Sequence, residues 1–464
     1  MAEPRVDKKK KRVVVIGGGV AGSLLCKTLQ KHRHFDFTLI DSKEYFEVTW
    51  ARLRSMVEPS FAKRSVINHH EYLQGASIIT SDANGIEDNE VSTTEGRLIS
   101  YDYLVIATGH MGSKCVTKPE KLREYEADNE KIKSSESILI IGGGPTGVEL
   151  AAEIAVDFPT KKVKLVHKGS RLLEFIDEKG SKKVLDWLTL KKVEVILGQS
   201  VALTSSSDDG TYKTSEGETI MADCYFKCTS DPIGSSWLKE TSLKDSLNDS
   251  GRLMVDANFR VKGFDNIFAI GDITDVAELK QGYLAQKHAL VVAKNLELLI
   301  NGSDGGNMVK YTPGSPTAIV SLGRREALLQ VWCVTSIGRV PETCLHITDT
   351  ICILKPFIRS SSIFVHAISH QRIEVNEMSS TKDALESIDK RRKIADQLIN
   401  QLDEQLVECK EEMKRLPHSP ADQEAVIAHA KILLGHKKNV PRTNLHTKQP
   451  SIEPTSSGIR FPKS

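Results

Sequence analysis

The ten residues from 13 to 22, VVVIGGGVAG, constrain the fold of this chain more than any other stretch. Four β-branched residues in a row indicate a buried parallel strand. The glycines that follow, Gly17, Gly19 and Gly22, stand in the spacing G-x-G-x-x-G around Gly18. This spacing permits a tight turn, a close approach of a pyrophosphate to the backbone, and close packing of the next helix. The stretch therefore predicts a strand, a turn and a helix N-terminus that bind a dinucleotide.

A second predicted strand ends in Asp41, about 20 residues further on, where an acid commonly binds a ribose hydroxyl. One such motif is also compatible with a glycine-rich turn that binds nothing. The chain, however, carries a second copy at residues 138–147, in which Gly142, Gly144 and Gly147 repeat the spacing. Two copies predict two dinucleotides held by two α/β domains.

The second copy differs from the first at the end of its second strand. There His167 stands where the first unit has an acid. Without a carboxylate to repel a 2′-phosphate, this domain is expected to accept NADPH as well as NADH. Glu149 and Glu153 lie four residues apart on the helix after the glycine turn, so they share one face.

Three further segments complete the pattern. Residues 76–99 alternate like a small β-meander. Arg54 lies in a helical segment, where an arginine can reach the pyrophosphate of a dinucleotide or remain a surface charge. An apolar strand-like run at residues 101–109 ends in small residues that let the chain pass close to a cofactor: Ala107, Thr108 and Gly109.

The charge balance and the cysteines limit the classes of protein that this chain can be. A formal net charge of +2 over 464 residues argues against nucleic-acid binding. The basic run KKKKR at residues 8–12 is either a solvated leader or a contact for anionic lipid. The sequence shows neither a signal peptide nor an apolar run long enough to cross a membrane, and its eight cysteines form no spacing framework. We therefore expect a cytoplasmic protein, with peripheral membrane contact as the alternative, and no metal site.

Together these motifs resemble those of flavoproteins with two dinucleotide-binding domains. Within that group the chain is similar to the pyridine-nucleotide oxidoreductases of the ferroptosis suppressor and apoptosis-inducing factor homologue type, above all to the plant members. The resemblance covers residues 11–327 and rests on RSMVE at 54–58, GGPTGVELAAEI at 143–154, YFKCT at 225–229, AIGD at 269–272 and LGRR at 322–325.

The resemblance implies an α/β fold with two Rossmann-like domains, in which the NAD(P)-binding domain is inserted in the FAD-binding domain. The FAD-binding domain would comprise residues 11–118 and 252–327, and the NAD(P)H-binding domain residues 130–251. Glu149 would lie near the nicotinamide, and Lys280 is either a cation near the flavin or an exposed helix lysine. The residues implied to hold FAD are Gly17, Gly19, Gly22, Arg54, Ile78 and Asp272.

The activity that the resemblance implies is that of an FAD-dependent NAD(P)H oxidoreductase. Hydride would pass from NADH or NADPH to flavin N5, and electrons would pass on to a quinone or another small acceptor. A disulfide relay is not expected, because residues 42–60 contain no cysteine. One alternative is a catalytically impaired flavoprotein that acts as a scaffold through its tail, and another is the reduction of a protein such as a ferredoxin.

The resemblance breaks down in two places. Cys228-Thr229-Ser230 stands where the family usually has Cys-Thr-Gly. After residue 327 the chain diverges, and residues 328–376 match no fold that we recognise. Residues 377–438 predict a helical or coiled-coil tail that recruits a protein partner through residues 383–436, and residues 439–464 predict disorder. We interpret the chain as a flavoprotein, preceded by a basic leader at residues 1–10 and joined to an unrelated helix.

Overall fold

Strands, glycine turns and helices follow one another in the predicted order through two parallel sheets. The computed structural model describes residues 10–203, 210–302, 305–314, 317–331 and 334–339, all of which belong to one unit spanning residues 1–367. The leader up to residue 9, the predicted helical tail and the C-terminal residues 439–464 lie outside the described residues.

The described strands are β1 (Lys11–Ile16), β2 (Phe35–Asp41), β3 (Tyr45–Glu47), β4 (Val66–Asn68), β5 (Ser77–Thr80), β6 (Ala83–Glu87), β7 (Glu90–Thr93), β8 (Leu98–Ser100), β9 (Tyr103–Ile106), β10 (Ser137–Ile141), β11 (Lys162–His167), β12 (Glu194–Leu197), β13 (Thr211–Lys213), β14 (Thr219–Met221), β15 (Cys224–Lys227), β16 (Ile267–Ala269), β17 (Thr317–Leu322), β18 (Glu326–Val331) and β19 (Val334–Arg339). The described α-helices are α1 (Val20–Leu29), α2 (Arg52–Val57), α3 (Pro59–Ser65), α4 (His69–Tyr72), α5 (Lys118–Ser134), α6 (Pro145–Asp157), α7 (Glu178–Leu190) and α8 (Gly282–Ile300).

The first sheet is parallel and has the strand order β16-β9-β1-β2-β5. In its central strand, Val15 pairs with Leu39 of β2 on one side and with Val105 of β9 on the other. All three side chains are buried, as expected for a parallel sheet covered on both faces. The carboxyl ends of β1, β2 and β9 therefore meet at one edge, beside the first glycine turn.

The second sheet, also parallel, has the strand order β12-β11-β10-β15. Its β10 leads into the second glycine turn, as β1 leads into the first. Cys224 and Cys228, on and just after β15, are buried and free. Both side chains pack in an apolar core cluster.

Two segments differ from the sequence predictions. β5 pairs with β2 and extends the first sheet, so the antiparallel meander consists of β6, β7 and β8 alone. The expectation of no fold after residue 327 is wrong for the described residues up to 339, because β17, β18 and β19 form an antiparallel sheet. The physical reason is that β18 pairs with β17, a strand that precedes residue 327 and whose alternation buries Ala318, Val320 and Leu322. These side chains join the same apolar cluster as the buried face of α6.

Candidate functional site

The first glycine turn has the geometry of a phosphate cradle. Gly17 leaves β1 with a φ of +104°, and a Cβ there would lie 2.5 Å from the Ala107 carbonyl oxygen. A Cβ on Gly22 would lie 1.9 Å from the Gly17 carbonyl oxygen, so α1 approaches the turn only because this residue is glycine. At Gly19, in contrast, a Cβ would meet no described atom within 4 Å. No described side chain caps α1 at Gly19, which leaves the first N–H groups of the helix available to a phosphate.

The small residues after β9 lie against this turn. The Ala107 N–H donates to the Ile16 carbonyl at 2.7 Å, and Gly109 has a φ of +56°. Between them, the Thr108 hydroxyl oxygen is buried and finds no hydrogen-bond partner within the described ranges. Such a group costs about 1–3 kcal/mol, a cost that a bound ligand would remove. The open space at α1 and this hydroxyl both fit a dinucleotide.

Asp41 lies at the end of β2, but its carboxylate is already engaged. Oδ2 lies 2.9 Å from Nε2 of the buried His69, and Oδ1 lies 3.3 Å from Lys43 Nζ. Burial would raise the pKa of Asp41, but Lys43 and His69 together lower it below its usual value. His69 had no signal in the sequence, because it belongs to no motif. Ile78, also expected at the FAD site, lies on β5 and pairs with Leu39.

The turn after β16 places Asp272 beside the segment that follows β9. Asp272 Oδ2 lies 3.0 Å from His110 Nδ1, and the Asp272 carbonyl accepts from Arg252 at 3.2 Å. Lys280 is only partly exposed and donates from Nζ to the Val276 carbonyl at 2.8 Å. Burial, followed by the charge of Arg252, lowers the pKa of Lys280. Two cations therefore lie near the Asp272 turn.

The second glycine turn repeats the geometry of the first. Gly142 has a φ of +120°, and a Cβ there would lie 2.6 Å from the Cys228 carbonyl oxygen. A Cβ on Gly147 would lie 1.8 Å from the Gly142 carbonyl oxygen. Gly144 precedes α6, and its Cβ would again meet no described atom within 4 Å. The two turns therefore offer two cradles of one design.

His167 ends β11, where the first unit has Asp41. Its Nδ1 accepts from the Gly143 N–H at 3.0 Å. Because Nδ1 accepts this hydrogen bond, the proton of the ring lies on Nε2, and burial, the main cause that lowers the pKa of His167, favours the neutral ring. The end of β11 thus presents a neutral N–H donor instead of a carboxylate.

Glu149 lies on α6, immediately after the second glycine turn. Its Oε1 accepts from the Ser321 N–H of β17 at 2.8 Å. Burial raises the pKa of Glu149 to about 7. A carboxyl group that changes its protonation near neutral pH is typical of catalytic and ligand-binding sites.

Arg54 points from α2 towards α6. Its Nη1 lies 2.9 Å from Asp157 Oδ2, and its Nη2 contacts Glu153. Arg324, in the turn between β17 and β18, lies 2.7 Å from Asp157, and Glu58 lies beside both arginines. These five residues form what we call the α2–α6 ion cluster. The side chain predicted to bind a pyrophosphate is therefore held by carboxylates, and its role at FAD stays a prediction.

The comparisons with known proteins identify the family. Residues 10–291 match the model of the pyridine nucleotide-disulphide oxidoreductase family, and the chain belongs to that family. Apoptosis-inducing factor homolog A of Dictyostelium discoideum is 31% identical over 353 residues, which cover 70% of this chain and 86% of that protein. Ferroptosis suppressor protein 1 of Homo sapiens is 28% identical over 344 residues, which cover 70% of this chain and 90% of that protein. The family predicted from the motifs is confirmed.

Solved structures share the fold. The sulfide:quinone oxidoreductase of Aquifex aeolicus superposes with a TM-score of 0.60 at 20% identity, over 74% of this chain and 89% of that one. NDH2 of Plasmodium falciparum, solved with NADH, superposes with a TM-score of 0.63 at 14% identity, over 78% of this chain and 98% of that one. The predicted α/β fold with two Rossmann-like units is therefore confirmed.

Membership of this family makes the chain an oxidoreductase that uses FAD and NAD(P)H. Within the described ranges, no three His, Cys, Asp or Glu side chains cluster in a way that could hold a metal ion. The helices in the described part of the chain include none with the length and apolar character needed to cross a bilayer.

Proposed function

We propose that this chain is an FAD-dependent NAD(P)H oxidoreductase that passes electrons from NADH or NADPH to a quinone-type acceptor. The observation that carries the proposal is the pair of matching glycine turns, each at the start of a helix that no described side chain caps. We assign FAD to residues 11–118 and 252–327, and the pyridine nucleotide to residues 130–251. When bound, FAD takes up hydride at N5 from the reduced nicotinamide and passes electrons on.

At the FAD site, the backbone does most of the binding. The N–H groups at the start of α1 bind the pyrophosphate, and the glycines of the turn leave room for it. The Thr108 hydroxyl, buried without a described partner, gains one from the cofactor. Asp41 accepts from a ribose hydroxyl, and Asp272 accepts from the ribityl chain beside the bond it shares with His110.

At the pyridine nucleotide site, two side chains orient the ligand. His167 offers its Nε2 proton to the adenosine ribose or its 2′-phosphate, because its Nδ1 is occupied by the Gly143 N–H. Glu149 uses Oε1 for the Ser321 N–H and keeps Oε2 to orient the nicotinamide. Orientation is the main contribution a protein makes to hydride transfer, since the cofactors carry the chemistry.

The acceptor and the location are the finer parts of the proposal. The name of the Aquifex aeolicus neighbour, a sulfide:quinone oxidoreductase, supports a quinone-type acceptor. The cations Lys280 and Arg252 near the Asp272 turn would stabilise negative charge that develops during reduction. We propose a cytoplasmic location, in which the protein is either free or peripheral to a membrane. The peripheral location would give it access to a membrane quinone.

The test is an absorbance spectrum of the purified full chain, followed by anaerobic addition of NADH or NADPH and then of a short-chain quinone. We expect a flavin band that bleaches with nucleotide and returns with quinone. A flavin band that does not bleach would favour the scaffold alternative. A protein without flavin after reconstitution with FAD would refute the proposal. A flavin band that returns only with ferredoxin would refute a quinone as the electron acceptor.

A further inference from the structure

A buried chain of hydrogen bonds joins the first glycine turn to Asp41. Its four side chains, Ser23, Tyr72, His69 and Asp41, are each at most 5% exposed. Ser23 Oγ lies 2.7 Å from the Gly18 carbonyl oxygen, and Tyr72 OH lies 2.8 Å from Ser23 Oγ. Tyr72 OH also lies 2.6 Å from His69 Nδ1, and His69 Nε2 lies 2.9 Å from Asp41 Oδ2.

The carbonyl at one end fixes the direction of every bond in this chain. A carbonyl oxygen only accepts, so the Ser23 hydroxyl donates to Gly18. Ser23 Oγ then accepts the single hydroxyl proton of Tyr72. The Tyr72 oxygen must in turn accept from His69, which places a proton on Nδ1. Because Nε2 faces a carboxylate oxygen at 2.9 Å, a second proton must lie between these two atoms.

We infer that His69 carries protons on both ring nitrogens and is a positioning residue that fixes Asp41 for the ribose of the dinucleotide. Lys43 Nζ, 3.3 Å from Asp41 Oδ1, favours the carboxylate, so the shared proton lies on the imidazole. The Cys26 thiol near Tyr72 adds no charge, since burial raises its pKa. The Asp41–His69 pair is therefore neutral as a whole, and Lys43 gives this end of β2 one positive charge.

The same pair also holds the glycine turn. A Cβ on Gly18 would lie 2.3 Å from Asp41 Oδ2 and 2.5 Å from His69 Cε1. The pair therefore packs directly on the Gly18 backbone, whose carbonyl closes the hydrogen-bond chain through Ser23. One imidazolium thus fixes both the acid for the ribose and the turn for the pyrophosphate.

The protonation is measured on the full chain labelled with nitrogen-15 in its histidines. Proton–nitrogen correlation spectra at neutral pH report which ring nitrogens are protonated, and the His69 signals are those lost in His69→Gln. We expect both nitrogens of His69 to be protonated. Tyr72→Phe removes the acceptor of the Nδ1 proton, so in this variant the His69 ring should carry a proton on Nε2 alone. A single protonated nitrogen in the unaltered protein would overturn the inference.

The positioning role is measured as the affinity of the flavin-depleted full chain for FAD, and this measurement rests on the proposed function. His69→Gln should weaken FAD binding about tenfold, because it removes a charge-assisted bond to Asp41. His70→Gln changes the neighbouring, exposed histidine and should bind FAD as the unaltered protein does. Unchanged affinity in His69→Gln would end the positioning role. If His69→Gln does not fold, Tyr72→Phe is measured instead and should weaken FAD binding about threefold. Unchanged FAD affinity in Tyr72→Phe would likewise refute the positioning role.

The two measurements separate this inference from the proposed function. If the unaltered protein bound no FAD, the proposed function would fail. The ring protons of His69 would still be counted in the flavin-free protein, where the inference makes the same prediction.

Discussion

Glu149→Gln should make the protein more stable and less active, with a gain in stability that depends on pH. Glutamine keeps the shape of the side chain and can still accept the Ser321 N–H, which Glu149 accepts at 2.8 Å. Burial raises the pKa of Glu149 from its usual 4.5 to about 7. Each pH unit corresponds to about 1.4 kcal/mol, so ionising this carboxyl costs the folded protein about 3 kcal/mol.

The sign of the pH dependence follows from proton binding. Between about pH 4.5 and 7, the folded protein keeps a proton on Glu149 that the unfolded chain has released. The free energy of unfolding of the unaltered protein should therefore fall as the pH rises through this range, and level off above it. The glutamine variant lacks this dependence, so it should be equally stable near pH ~4.5 and up to about 3 kcal/mol more stable above pH ~7.5.

The assay is urea unfolding of both flavin-loaded proteins at the two ends of this pH range. Glu216→Gln, at an exposed position, is the control and should leave the unfolding free energy unchanged. Stopped-flow bleaching of the flavin by NADH should be about 100-fold slower in Glu149→Gln, the cost of a poorly oriented reactant. A stability difference that is the same at both pH values, or a variant less stable at high pH, would refute the reasoning.

Three other changes test the geometry. Arg54→Met removes one cation from the ion cluster, whose two α6 acids are both under a tenth exposed. The free energy of unfolding in urea should therefore fall by about 3 kcal/mol. Weaker FAD binding at unchanged stability would instead support the predicted role of Arg54 at the pyrophosphate. His167→Asp puts a carboxylate in place of a neutral ring, so the ratio of kcat/KM for NADPH to that for NADH should fall about tenfold or more, and an unchanged ratio would contradict the role of this position. Gly22→Ala should destabilise the protein in urea, because its Cβ would lie 1.9 Å from a carbonyl oxygen. A Cβ on residue 19 would meet no described atom within 4 Å, so Gly19→Ala should leave the stability unchanged and weaken FAD binding. A Gly19→Ala variant that is less stable but binds FAD normally would refute the assignment of the first glycine turn as the phosphate site.

The strand–turn–helix units could be predicted because several local constraints coincide in them. A run of β-branched residues, glycines at fixed spacing and a following helix all lie within about 20 residues. The local sequence therefore determines the secondary structure of these units with little contribution from tertiary contacts. The helix predicted to follow the first glycine turn is α1, Val20–Leu29, and the one predicted to follow the second is α6, Pro145–Asp157. β18 and β19, in contrast, lie where the resemblance to the family ended, and no glycine motif marks them.

The partners of charged side chains could not be predicted in the same way. Arg54 meets Asp157 across 103 residues of sequence, and nothing in the pattern around Arg54 distinguishes a carboxylate partner from a phosphate. His69 reaches Asp41 across 28 residues, from a four-residue helix without periodicity. Such contacts depend on how α2, α4 and α6 pack, which local pattern does not determine.

The two glycine turns are built alike but are anchored differently, and the difference matches the two ligands that the family uses. Behind the first turn, four buried side chains form a continuous chain from Gly18 to Asp41. Behind the second, the partly exposed His167 holds the Gly143 N–H through one neutral nitrogen. A preorganised site loses less entropy on binding and so holds its ligand longer. The first turn is therefore suited to a cofactor that stays through many turnovers, and the second to a nucleotide that must leave after each one.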